Sequence, residues 1–408
     1  YSGSAVNWQK CLGFWHGAWE STPSLFENVC WVTTPVNYLG VPLENYRDSD
    51  PYWQKQAVEL RKKAEKWKGR DLSIFARATV CNLFLVSKIW YVLQVLHCSR
   101  VNVQRLHRVF AVLIWGSTWE RTSRTSLFRR VRSGGLSLAH LFFRQVVNRF
   151  IFLRDVTDPF LPTFCQVRLC RVLPEFVVSS VSIFGGGIHG YIREVVQATH
   201  FLCTRFSLEY LSGVSRRRLY RDLVDVALPV PLYRSLYSVG PGQNVLQRVK
   251  KMSVPPCVKT FFFKLHSGVL PVKTWVEEKG LFVPWSTNCL LCQKPETVEH
   301  VFLGCWDGVF FWDVLQRTLK KEFPLDPHGI RFLPTENENG VPFDLVMFLG
   351  LHSLWKSRLA GRHADVDARD AREYFNESMR YVLEFWKAQP IVPDFVSALK
   401  EVTRLKPF

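Results

Sequence analysis

Cys289-Leu290-Leu291-Cys292 is followed by His300 after seven residues and by Cys305 after four more. Three thiols and an imidazole at this spacing are a ligand set for a tetrahedral zinc ion. Two thiolates separated by two residues can reach one ion at Zn–S distances of about 2.3 Å, and His300 and Cys305 complete a closed Cys3His shell. A closed shell leaves no position for water, so the expected chemistry is structural, with the ion holding a loop whose own core is too small. The plainer reading is that these are ordinary buried cysteines in a chain that has eleven, with His300 a coincidence.

A second set of residues mixes positive charge with aromatic rings. Lys62, Lys63, Lys66, Lys68, Arg70 and Arg77 surround Trp67 and Phe75, and Arg121, Arg124, Arg129, Arg130 and Arg132 follow Trp115 and Trp119, with only Glu120 opposing them. Guanidinium forks match phosphate oxygens and aromatic faces stack on bases, so a groove lined by both would hold a nucleic acid strand without reading its sequence. Lysines on the outer face of a helix are also often merely solvated, which stays open for Lys62 and Lys63. Asp48 and Asp50 could pair on a metal but precede a helix, where capping or loop roles fit better. There is no His-Glu-x-x-His, phosphate-binding loop, serine elbow or dinucleotide fingerprint, and no complete active site emerges.

The elements that must position these groups are mostly helices. Trp53, Ala57, Leu60, Ala64 and Trp67 recur at helical spacing, as do Arg77, Cys81, Phe84, Leu85, Ile89 and Val92 within 73–96. Further helices are expected over 103–115, after Gly134-Gly135 through Leu141 and Phe150, over 310–319, and over 369–386. The last carries Ala371, Tyr374, Phe375, Ser378, Val382 and Phe385 on one stripe, with Asp365, Asp367 and Asp370 near its positive end. Residues 1–45 are rich in aromatic and β-branched types with tight-turn signals and read as a small β element. The fold class expected is mainly α: a residual β element at the N-terminus, a helical thumb-like bundle, a small zinc-stabilised module and C-terminal helices.

The 408 residues are 47% hydrophobic, enough for substantial cores and against disorder. Lys and Arg total 53 against 35 Asp and Glu, a net charge of +18 that favours an anionic partner. The excess lies early, with 21 basic and 9 acidic side chains in 1–150 against 12 and 13 in 321–408. Eleven cysteines, odd in number and scattered, fit a reducing intracellular compartment, and the absence of a long uninterrupted apolar run argues against membrane insertion. The start at Tyr1, without Met, reads as a fragment.

In order along the chain, these features resemble the C-terminal part of a LINE-type, non-LTR retrotransposon reverse transcriptase, arthropod-like, over most of residues 1–320. Ser2-Gly3-Ser4-Ala5-Val6-Asn7-Trp8-Gln9-Lys10 is similar to the family's Ser-Gly-x-x-x-Asn-x-x-Lys stretch, and Tyr38-Leu39-Gly40-Val41 to its primer-grip-like turn. Trp67-Lys68-Gly69-Arg70-Asp71-Leu72-Ser73 with Arg77 resembles the thumb signature, with Ile114-Trp115-Gly116 and Gly134-Gly135-Leu136-Ser137 as later landmarks. Leu270-Pro271, Gly280, the Cys289–Cys305 cluster with Glu296 and Thr297, and Phe311-Trp312 resemble the zinc-binding domain.

The resemblance implies an end of palm at 1–45, a thumb-like domain at 46–155, a helical connector at 156–250, a zinc-binding module at 251–320 and a C-terminal helical region at 321–408. It places Lys10, Tyr38 and Gly40 near a primer end and the basic helices against a duplex backbone. It implies RNA, RNA–DNA hybrid or DNA and the remainder of the polymerase chain as partners, a structural zinc, and a nuclear and cytoplasmic location without a membrane. The Tyr-x-Asp-Asp carboxylates are absent, so magnesium would belong to the missing catalytic palm and no polymerisation is expected from this chain alone. A zinc-stabilised protein-interaction module is the alternative, and a complete enzyme with an unrecognised site the remaining one.

Overall fold

The computed structural model of the chain describes residues 6–8, 11–14, 29–32, 36–43, 50–158, 160–175, 188, 190–237, 240–284, 286–335, 337–338, 340–362 and 369–402. Among the described residues helices take 62% and strands 4%, so the class is mainly α, with small strand pairs near the N-terminus. Lys10, Asp48, Asp365 and Asp367 lie outside the described residues. The chain forms two units, each assembled from segments distant in sequence: Tyr1–Trp67, Val80–Leu113 and Ala139–Ala227 in the first, Lys68–Thr79, Ile114–Leu138 and Leu228–Phe408 in the second.

In the first unit, Leu12–Phe14 pairs in parallel with Cys30–Val32, and Val36–Tyr38 pairs antiparallel with Val41–Leu43. The loop of that hairpin is Leu39-Gly40, both at positive φ (50° and 82°). Positive φ at both central residues is what a two-residue turn matching the strand twist requires, and glycine adopts it at little cost. The Asp50–Lys68 helix buries Trp53, Ala57, Leu60 and Ala64 as its periodicity predicts. Trp67 is only half-buried, its ring 5.0 Å from that of Phe84. The Asp50 carboxylate accepts from the Ser99 hydroxyl at 3.0 Å and the Asn102 amide at 2.6 Å, a loop-tying role rather than a metal site.

The expected single helix over 73–96 is interrupted. Ile74–Val80 passes into a π-helical stretch, Cys81–Val86, before Ser87–Leu93 resumes α geometry. The wider turn rotates the later residues, so Cys81, Leu85, Ile89 and Val92 stay buried while Phe84, expected on the same face, is 52% exposed. Ile74–Leu93 is long and apolar enough to cross a membrane by length and composition alone, but Arg77 and Lys88 lie within it. The rest of this unit packs the Leu141–Arg154 helix against Gly190–Cys203 and Arg216–Ala227.

The second unit is built around the Phe343–Ala360 helix, which is buried on nearly all sides and is accordingly rich in apolar residues, with Asp344 and Arg358 as buried exceptions. Gly350 on this helix lets the Phe311 and Trp312 rings approach so closely that a Cβ there would lie 2.9 Å from the Trp312 ring. Pro256 opens the Pro256–His266 helix at a position whose N–H would have no partner, and Phe261, Phe262 and Phe263 enter the core from it. The Ala371–Lys387 helix starts on Asp370, whose carboxylate accepts from the Glu373 N–H at 2.8 Å. Its buried face is Ala371, Tyr374, Phe375, Met379, Val382 and Leu383. Ser378 is half-buried and Phe385 exposed, because a straight helix drifts away from a strict seven-residue repeat.

Candidate metal centre

The four ligands reach one point from two short pieces of backbone in the second unit. Cys289 and Cys292 sit on a tight loop closed by the Cys289 N–H to the Lys294 carbonyl (2.8 Å) and the Gln293 N–H to the Cys289 carbonyl (3.0 Å), with Gln293 at φ 56°. The Leu291 N–H points at the Cys289 sulfur at 3.4 Å. His300 opens a π-helical turn, His300–Gly304, that returns the chain to Cys305. The Thr297 hydroxyl accepts from the His300 N–H at 3.0 Å and fixes the start of that turn.

The donor atoms of Cys289, Cys292, His300 and Cys305 all lie within 4.8 Å of one another. The sulfur–sulfur separations are 3.6 Å (Cys289–Cys292), 3.8 Å (Cys289–Cys305) and 3.8 Å (Cys292–Cys305), and His300 Nε2 is 3.1 Å from the Cys292 sulfur. A regular tetrahedron with Zn–S bonds of about 2.3 Å has edges of about 3.8 Å. The three sulfurs therefore already stand at the corners such an ion needs, and the cluster could hold a metal.

The electrostatics fit anionic sulfur. Arg358, 8% exposed on the Phe343–Ala360 helix, donates from Nη1 to the Cys289 sulfur at 3.0 Å and from Nη2 to the Cys305 sulfur at 2.8 Å. Burial alone would push the Cys289 thiol up, but hydrogen bonds from His300, Leu291 and Cys292 and the Arg358 charge outweigh it and bring it down to about 6. Cys292 is pushed up to about 11, by burial first and then by the neighbouring sulfurs of Cys289 and Cys305. Three thiolates around a divalent cation carry one excess negative charge, and the guanidinium fork neutralises it.

Further buried polar groups clamp the loop. The Lys273 ammonium, on a side chain only 7% exposed, donates to the Asn288 carbonyl at 2.8 Å. Glu296, 1% exposed, is paired with Arg362 and accepts from the Lys273 N–H at 3.3 Å. Lys273, Arg358 and Arg362 are invisible to ligand-spacing arguments, because each lies outside the Cys289–Cys305 stretch. Replacing Arg358 by Met should weaken metal binding about 10–100-fold, the usual cost of losing a group that supports a ligand. Competition with a chromogenic chelator measures it, and unchanged affinity would remove Arg358 from the centre.

The basic residues are placed less uniformly. In the first unit Lys62, Lys63 and Lys66 are exposed on one helix, and the Lys63 ammonium lies below its usual value chiefly because Lys88 crowds it. Tyr38 and Gly40 are exposed at the hairpin turn. In the second unit Lys68 and Arg70 are exposed, as is Arg132. Arg124 is tied to Glu120 by two bonds of 2.7 Å. Arg129 is buried and donates to the Leu228 carbonyl at 2.5 Å, and Arg130 is half-buried. Arg77, half-buried, donates to the Ile114 carbonyl at 3.3 Å, and Arg121 lies over the rings of Trp119 and Trp275 at 5.0 and 5.9 Å.

Arg77 and Arg121, 44 residues apart, come together on a residue that sequence patterning passes over. Lys264 is driven down to about 8 by burial first, then by the Arg121 and Arg77 guanidiniums. Asp71 acts on Arg77, so the cluster has an acidic neighbour at one of its three members. No protein-family model matches the chain, and no curated protein matches it.

Proposed function

We propose that the chain is a nucleic-acid-binding C-terminal part of a LINE-type reverse transcriptase, stabilised by a structural zinc ion in the Cys289, Cys292, His300 and Cys305 cluster, and without polymerase activity of its own. The observation that carries the binding half of this reading is the convergence of Arg77 and Arg121 on Lys264. Arg121, over the Trp119 and Trp275 rings, with Arg77 and Lys264 as its cationic neighbours, suits a phosphate beside a stacked base. The exposed row of Lys62, Lys63 and Lys66 offers a second backbone contact in the first unit.

In this reading zinc acts only on the fold, and no bond-making step belongs to the chain. The thiolates and the imidazole satisfy the ion completely, and affinity for nucleic acid comes from released counterions with no base-specific component. The nucleic-acid partners would be RNA, RNA–DNA hybrid or DNA.

Purified chain should bind an RNA–DNA hybrid with an affinity that falls linearly on a log–log plot as salt rises from about 50 to 200 mM. Joint replacement Arg121→Gln and Lys264→Met should lower that slope by about 1 for each phosphate that the variant no longer neutralises. Fluorescence anisotropy with a labelled hybrid measures both. Binding indifferent to salt, or a slope unchanged in the double variant, would remove the support for this surface.

A further inference from the structure

The second unit carries a half-open cavity of about 370 Å³. Val276, Phe282, Val283, Pro284 and Leu290 supply apolar walls, and Lys273 and Arg362 are the charged groups in its lining. That size, and apolar walls around few polar groups, are those of a small-molecule site. Among the described residues no acidic side chain lines it.

The walls face the opening. Phe282 is 87% exposed and Leu290 57% exposed, and the Phe282 ring makes no ring contact among the described residues. An apolar chain laid against them covers surface that now meets water, which favours binding in proportion to the area covered.

The two cations differ in what they already hold. The Arg362 guanidinium is paired with the Glu296 carboxylate and donates from Nη1 to the Pro271 carbonyl at 3.2 Å. The Lys273 side chain is 7% exposed; its ammonium donates to the Asn288 carbonyl at 2.8 Å and forms no ion pair among the described residues. An ammonium has three donors, so one carbonyl leaves Lys273 short of hydrogen bonds as well as of a counter-charge. A charge held this far from water is costly until it is paired. In the lining, one carboxylate thus answers two cations.

From the exposed apolar walls and the uncompensated Lys273 charge, we infer that this cavity is a binding site for an aliphatic monocarboxylate, a medium-chain fatty acid. The carboxylate accepts from Lys273 Nζ, and the alkyl chain lies along Val276, Phe282 and Leu290. Aliphatic walls take a flexible chain, whereas a flat ligand would find one ring and no second face to clamp it. A ligand with only the head would leave the walls in water, and one with only the chain would leave Lys273 unpaired.

Isothermal titration of the full chain with octanoate, octanol and acetate tests this. Octanoate is expected to bind, octanol about tenfold more weakly and acetate more weakly still. Lys273→Met should erase the preference for octanoate over octanol, a ratio that loosening of the neighbouring loop alone would not change. Phe282→Ala, at an exposed position, should weaken octanoate and octanol alike, about threefold or more. Lys294→Gln, which removes an exposed ammonium outside the lining, should leave octanoate affinity unchanged. Equal affinity for octanoate and octanol would mark an apolar surface for a protein partner and overturn the assignment. No octanoate binding up to about 10 mM, or a preference for octanoate that survives Lys273→Met, would overturn it too. None of these results would touch the salt-dependent binding of a hybrid.

Discussion

Chelation of the purified chain is expected to strip one zinc ion per chain and to loosen the loop that carries Cys289, Cys292, His300 and Cys305. Structural zinc sites contribute apparent binding energies of about 10–16 kcal/mol at neutral pH, comparable to the whole stability of a domain. The loop has few apolar contacts to fall back on, since Leu290 and Leu291 are 57% and 60% exposed. Cys292→Ser and His300→Ala should each lower metal content, because a serine oxygen or a methyl group cannot complete the shell. Cys305→Ser should be more damaging than Cys292→Ser: Cys305, like Cys289, is fully buried and receives Arg358, so its loss also weakens the guanidinium fork. Atomic emission for metal content and hydrogen exchange over 286–305 read the effect. Full stoichiometry in both the Cys292 and His300 variants would refute the ligand set.

The second large effect belongs to Arg149. Its side chain is 1% exposed, bonded to Glu194 at 2.9 Å, and it donates to the carbonyls of Gln94 (2.5 Å), Leu96 (3.3 Å), Leu93 (3.4 Å) and Val95 (3.4 Å). These carbonyls lie at the end of the Ser87–Leu93 helix and in the three residues that follow it. Its guanidinium also lies 4.3 Å from the centre of the Tyr191 ring. Arg149→Met would leave Glu194 with only His97 and Gln145 as partners and several carbonyls with none, a loss of about 3–5 kcal/mol. For a unit of this size that lowers the melting temperature by about 10 °C. Arg149→Lys should not rescue, since one ammonium cannot serve the carboxylate and the carbonyl row at once. Pairing Arg149→Met with Glu194→Leu should cost less than the sum of the two single changes. Thermal melts of the four proteins measure it, and a loss under about 1 kcal/mol in Arg149→Met would show that the fold does not depend on this buried charge.

Much of the local structure is readable because it depends on neighbours in sequence. The stripe from Trp53 to Ala64, the Asp370 cap and the Tyr38–Val41 turn are decided by residues within a few positions of each other, and the ligand spacing of the Cys/His cluster is equally local. What escapes depends on distant partners. Arg358 reaches Cys305 across 53 residues, and Arg129 finds the Leu228 carbonyl across 99. A linear pattern cannot separate an arginine facing solvent from one satisfying a carbonyl, so the cluster at 121–132 reads as uniform although its members differ in burial and partners. The π-helical turn at Cys81–Val86 escapes for a related reason: one extra residue in a turn is fixed by packing, and nothing in the composition Cys-Asn-Leu-Phe-Leu-Val announces it.

The distance between Arg358 and the sulfurs bears on how the protein is made. Translation at about 5–20 residues per second delivers Cys305 roughly 3–10 s before Arg358. Throughout that interval the nascent thiols lack the cation that favours their ionised form. A metal bound before the Phe343–Ala360 helix has left the ribosome would be held without that cation, and a premature stop ahead of the helix would yield a product with every ligand in place but an affinity lower by about 10–100-fold from the missing guanidinium alone.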